Sequence, residues 1–152
     1  MKRRSFLKGS IVAGATSVAV GAGLVTPNLA LAEETDPFKA KSVDEVMKIL
    51  GISGTEDSDK IKIKAPEIAE NGAVVPVGIT SEIDGTTEII SITAANPTPL
   101  AAKYTFGEGA VTSVKSRFKM GKTTDVIAIV KAGDKYYTAK TEVKVTKGGC
   151  GG

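Results

Sequence analysis

Cys150 is the one residue of this chain equipped for covalent chemistry. It is the sole cysteine, and it lies within Gly148-Gly149-Cys150-Gly151-Gly152. Glycine loses the most conformational freedom on ordering, so glycines on both sides of a thiol predict a flexible arm, not a helix or strand. Fully extended, the arm 148–152 reaches on the order of 16 Å. With no Cβ beside it, the sulfur can enter a channel too narrow for a bulkier chain. A disordered tail that happens to hold a cysteine is the plainer explanation. Two features weigh against it: the motif is symmetric about the sulfur, and an unpaired thiol in an oxidising compartment is a hazard unless it is used.

The thiol gets little help from its own chain. The sequence contains no His. That removes the commonest general base, the commonest metal ligand and every Ser-His-Asp or Cys-His device. A single cysteine excludes internal disulfides, CxxC redox pairs and Cys-rich zinc sites. Lys144 and Lys147 favour the thiolate slightly, and the terminal carboxylate opposes it. This chain alone is not expected to be a catalyst; a partner's site must activate the sulfur. No cofactor and no metal site are expected. Glu56, Asp57 and Asp59 lack the Asp-x-Asp-x-Asp-Gly spacing of a calcium loop and read as a solvated loop.

The first thirty-two residues read as an address. Lys2, Arg3, Arg4 and Lys8 form a positive start, residues 9–32 carry no charge, and Ala30-Leu31-Ala32 precedes Glu33-Glu34. This is the order of a signal peptide, with cleavage expected between Ala32 and Glu33. Arg3-Arg4-Ser5-Phe6-Leu7-Lys8 resembles the twin-arginine export signal, in which Arg3, Arg4, Phe6 and Leu7 fall on the pattern Arg-Arg-x-Phe-Leu-Lys. The uncharged stretch is long enough to span a bilayer, but its four glycines and Pro27 suit a cleaved signal better. The protein is therefore expected in the periplasm, with no membrane contact after cleavage. The formal charge of +3 also belongs to this segment. Beyond residue 32 the chain has 16 basic and 17 acidic residues, and no clustered basic, aromatic-rich stretch that would favour nucleic acid.

Residues 33–147 then have to form the body that holds the arm. Residues 42–50 predict a short helix: Ser42 and Glu45 make a capping box, Val46, Ile49 and Leu50 form one apolar stripe, and Gly51 stops it. Residues 53–59 read as loop. From residue 60 the apolar period becomes two. Strands are expected at 61–64, 73–79, 88–93, 104–106, 111–114, 124–130 and 136–145, with turns at Asn71-Gly72, Asp84-Gly85, Gly107–Gly109 and Gly133-Asp134. Pro76 predicts an edge or a bulge for its strand. Tyr136 and Tyr137 fall on opposite faces, one inward and the other free to meet a partner. Short strands at roughly ten-residue spacing predict an all-β fold: an Ig-like β-sandwich of about seven strands with a short N-terminal helix. Asn71-Gly72 is read as a turn with φ > 0, and the Glu67–Pro76 segment as structural.

The tail Gly148–Gly152 on an exported small β-domain resembles the SoxY family, the sulfur-carrier subunit of the periplasmic Sox system. Ala65-Pro66-Glu67-Ile68-Ala69-Glu70-Asn71-Gly72-Ala73-Val74-Val75-Pro76-Val77 is similar to that family's segment before its first long strand. The Val143-Lys144-Val145-Thr146-Lys147 run before the tail also matches. The resemblance implies covalent attachment of thiosulfate-derived sulfur at Cys150. It also implies a heterodimer with a SoxZ-like β-protein. Partner enzymes would be a c-type cytochrome pair that joins thiosulfate to the thiol, a manganese hydrolase that releases sulfate, and in some organisms a molybdenum enzyme.

Other functions fit the residues less well. A ubiquitin-like carrier activated at Gly151-Gly152 would need ATP, which an exported chain does not meet, and would leave Cys150 without a purpose. A structural β-module with an intermolecular disulfide would not need the glycines. An enzyme lacks any base or metal set.

Overall fold

The computed structural model describes residues 36–148. Seven of the nine strands among them are four residues or longer: β2 (Ile61–Lys64), β4 (Val75–Ser81), β5 (Thr86–Thr93), β6 (Leu100–Thr105), β7 (Ser113–Phe118), β8 (Thr124–Ala132) and β9 (Lys135–Val145). Two short pieces, β1 (Glu56–Asp57) and β3 (Ile68–Ala69), run parallel to β9 at Tyr137–Thr138 and Lys144–Val145. The larger sheet has the order β1-β9-β8-β5-β6, with β3 also on β9; the smaller is β2-β4-β7.

The two sheets enclose a core of Ile61, Val75, Val77, Ile79, Ile89, Met120, Val126, Val130 and Val143, with Phe118 and Tyr104 packed on it. Aliphatic side chains supply this core, as the low aromatic content requires. Across the inner face of the larger sheet, register aligns Ala102, Ser91, Ala128 and Ala139 in one row. These small side chains leave volume for the bulkier residues of the facing sheet, which is how a sandwich interdigitates. Tyr104 Oη and Ser116 Oγ share a hydrogen bond that joins β6 to β7 across the two sheets.

The larger sheet is covered on its other face as well. There Ile90, Ile92, Leu100 and Ile129 meet Ala40, Val46 and Ile52 from the N-terminal segment. Double coverage explains why β5 and β8 read as nearly continuous apolar runs and not as strict alternation. It also corrects the expectation that one of Tyr136 and Tyr137 is free to meet a partner. The Tyr136 ring packs on the second core, with Lys131 Nζ 5.8 Å from its centroid, while Tyr137 packs on the first, so neither is a free partner surface.

The covering helix α1 (Val43–Ile49) starts as its cap predicts: Ser42 Oγ accepts from the Glu45 amide at 3.1 Å. The Glu45 carboxylate reaches one residue further back than a standard box, accepting from the Lys41 amide at 2.7 Å. Gly51, at φ 69°, turns the chain, and Ile52 returns its amide to the Met47 carbonyl at 2.8 Å. A left-handed glycine just past the last turn is the usual helix stop.

Three expectations need correction. The 53–59 loop contains β1, because the free edge of β9 offers it backbone partners. Pro76 lies in β4, the central strand of the smaller sheet. It is tolerated because β2 pairs only as far as Gly78, so beside Pro76 the strand has a partner on one side alone, at Arg117. Gly72 does not have a positive φ. Its turn is closed instead by Asn71 Oδ1, which accepts from the Ala73 amide at 2.9 Å.

Candidate functional site

Cys150, Gly149, Gly151 and Gly152 lie outside the described residues, as do Arg3, Arg4, Phe6, Leu7, Ala32 and Glu33. The site that can be built from the structure is the root of the arm, where β9 ends and Gly148 begins it.

The last residues of β9 are held from both sides. On one side the segment after β2 runs alongside them. The Lys144 amide donates to the Glu67 carbonyl at 2.9 Å, and the Thr146 amide to the Ala69 carbonyl at 3.1 Å. The Gly72 amide then donates to the Lys147 carbonyl at 2.8 Å. Thr146 Oγ1 adds a bond to the Glu70 carbonyl at 3.3 Å. On the other side, pairing with β8 ends at Thr124–Val143, and Thr123 Oγ1 takes over by accepting from the Val145 amide at 3.0 Å. Backbone groups at a strand end would otherwise fray. Here they are bonded as far as Lys147.

A third piece of chain completes the root. The Met120 amide donates to the Gly72 carbonyl at 2.7 Å. The turn after Met120 is shaped by Asn96, whose Nδ2 donates to the Lys119 carbonyl at 2.7 Å and whose Oδ1 accepts from the Gly121 amide at 3.3 Å. Gly121 then lies against Gly148. A Cβ built on Gly148 would overlap the Gly121 carbonyl oxygen. The first glycine of the tail is therefore required by a close backbone approach. Ile68 and Val74, both more than half exposed, stand on the clamping segment.

Sequence reasoning named the tail and missed what anchors it. Asn71, Gly72, Asn96 and Gly121 all act on the root, yet each reads in sequence as an ordinary turn residue. The only available signal was the density of Asn and Gly at positions that long-range pairing brings together. Lys144 and Lys147 are exposed at the root. Among the described residues no group of three or more carboxylates or thiols is placed to hold a metal ion. No helix among them is long and apolar enough to cross a membrane.

The chain was compared with known proteins. The family model "Sulfur oxidation protein SoxY" matches residues 46–150, a range that ends on the cysteine. Among solved structures, the sulfur carrier protein SoxY from Chlorobium limicola f thiosulfatophilum is 42% identical, with a TM-score of 0.62 over 68% of this chain and 94% of that one. A superoxide reductase (neelaredoxin) from Ignicoccus hospitalis is 17% identical, with a TM-score of 0.53 over 60% of this chain and 94% of that one; it shares the fold alone. The curated proteins gave no match. A match across most of the chain, joined to the Ig-like sandwich seen here, places this protein in the SoxY family of sulfur oxidation proteins, a family of carriers and not of enzymes.

Proposed function

We propose that Cys150 is the covalent attachment point of a sulfur carrier for thiosulfate oxidation. The observation that carries this reading is the root. The chain is hydrogen-bonded up to the carbonyl of Lys147, and the thiol lies three residues further on, within roughly 10 Å of that anchor when extended. A rigid body, a fixed exit and a short glycine-flanked reach are what is needed to deliver one sulfur into a narrow site.

The chemistry follows from the thiol. Joining thiosulfate to it forms an S–S bond, releases one proton and gives two electrons to a cytochrome-type partner, leaving a cysteine S-thiosulfonate. Hydrolysis by a manganese-dependent partner adds water across the terminal S–S bond, releases sulfate and a proton, and leaves a persulfide. A molybdenum enzyme, where present, would oxidise that outer sulfur. A SoxZ-like subunit would complete a heterodimer. Export through the twin-arginine signal of Arg3 and Arg4, cut after Ala32, would put the carrier in the periplasm.

The test is intact-mass analysis of the mature protein after incubation with thiosulfate and its oxidising partner. The expected result is a reductant-sensitive adduct on Cys150, absent from Cys150→Ser. An unmodified tail, or turnover that survives Cys150→Ser, would falsify the carrier reading.

A further inference from the structure

The outer face of the smaller sheet carries a charge pattern that the arm does not explain. Outward-pointing positions on its edge strands are Lys62 and Lys64 on β2 and Lys115 and Arg117 on β7, all exposed. No acidic residue occurs in β2, β4 or β7. None of the four cations takes part in a salt bridge among the described residues, and Lys62 Nζ donates only to the Asp59 carbonyl at 2.6 Å. Beyond residue 32, the remaining residues carry 12 bases against 17 acids. Charge is therefore segregated onto this face.

Lysines on edge strands also serve to block unwanted strand pairing. That role does not explain the centre of the face. Register places Gly78 between Lys64 and Lys115. A glycine weakens a central strand, and in such a place it often marks the close approach of another surface. Nothing among the described residues demands it. Its φ is not positive, and a Cβ there would make ordinary contacts, 3.6 Å from Lys64 Cβ and 3.8 Å from Lys115 Cγ. Gly78 instead lines a groove of about 730 Å³, together with Ala65, Pro66, Pro76, Val77, Lys64, Lys115 and Arg117. The groove adjoins the arm root. Pro76 pairs with Arg117 one rung before Val75–Phe118, and the chain beyond both strands supplies Gly72 and Met120 to the clamp.

We propose that this face docks the acidic rim of a partner enzyme, seating that enzyme's channel over the arm. The proposal rests on the carrier reading. Complementary charge beside the root would speed encounter and set orientation, while the apolar groove floor excludes water.

The test uses the full mature carrier as co-substrate of its thiosulfate-conjugating enzyme. The variants are the triple Lys64→Glu/Lys115→Glu/Arg117→Glu and, separately, Gly78→Val, which puts bulk into the groove with a residue that favours strands. The expected result is a KM for the carrier raised about tenfold with kcat unchanged, and for the triple a loss of salt dependence. Alkylation of Cys150 by iodoacetamide should keep its wild-type rate, showing that the arm is intact. An unchanged KM in both variants overturns the proposal while leaving the carrier reading in place. A triple variant that no longer co-elutes with its SoxZ-like partner, or that loses binding to anionic vesicles with KM unchanged, assigns the face to another occupant and overturns it too. Absence of any adduct on the wild-type thiol sinks the carrier reading and this proposal together.

Discussion

The amide of Gly72 donates to the carbonyl of Lys147 at 2.8 Å, tying a loop near the middle of the chain to the last residue before the tail. Gly72 is buried, and its own carbonyl is taken by the Met120 amide at 2.7 Å. One residue therefore bridges the ends of β7 and β9. It fixes where the chain leaves the body at Lys147. Without it, the last anchored group would be Thr146.

The clamp depends on Asn71, whose side chain holds the turn by accepting from the Ala73 amide at 2.9 Å. Asn71→Ala removes that acceptor. We expect a loss of about 1 kcal/mol in global stability, the ordinary worth of one hydrogen bond, and a Gly72 amide that exchanges with solvent about tenfold faster. Asn71→Asp keeps an acceptor oxygen and should restore most of the protection. Native-state hydrogen exchange by NMR reads both. A Gly72 amide whose exchange is the same in Asn71→Ala as in wild type would show that the clamp stands without the turn.

A second expectation concerns the core. Ser91 is fully buried on β5, and its Oγ has no hydrogen-bond partner among the described residues. Its cross-strand neighbours are Ala102 and Ala128, which offer no side-chain donor or acceptor. A buried hydroxyl without a partner loses its hydration and gains nothing in return. Ser91→Ala should therefore be stabilising by about 1 kcal/mol, seen as a higher urea midpoint at unchanged slope. A lower midpoint would mean that the hydroxyl is satisfied, for instance by a trapped water.

The fold was largely legible because its signals are local. Alternation in Ile61–Lys64, the capping pair Ser42 and Glu45, and the turn glycines Gly51, Gly85 and Gly133 each act within a few residues, and each appears in the structure. The errors arose where distant segments decide. Pro76 sits in a central strand because β2 ends early, and nothing near Pro76 in sequence shows where β2 ends. One of Tyr136 and Tyr137 was expected to be free because a sandwich strand usually has one solvated face, whereas the N-terminal helix here covers the outer face of the larger sheet. The tail motif beyond Gly148 lies outside the described residues, so its reading rests on the sequence. Its root could not be read there: Asn96 and Gly121 reach Gly72 and Gly148 only after residues far apart in sequence are paired.

The root also separates the glycines of the tail into two kinds. At Gly148 any side chain must displace the Gly121 backbone. Gly148→Val should peel the chain off the clamp, costing about 1 kcal/mol and speeding exchange of the Gly72 amide. At Gly149 and Gly151, which flank the thiol, the carrier reading makes the constraint external: the partner's channel must admit whatever stands beside Cys150. Gly149→Val and Gly151→Val should leave the urea midpoint and the Gly72 amide unchanged while slowing turnover by each partner enzyme about tenfold or more, since poor seating of a reacting group is costly in rate. Denaturation, hydrogen exchange and co-substrate kinetics on the three variants test this together. If Gly148→Val and Gly149→Val behave alike in all three measurements, the first glycine belongs to the free arm and the pivot lies inward of Lys147. If the flanking variants turn over at the wild-type rate, the thiol is not threaded through a narrow channel.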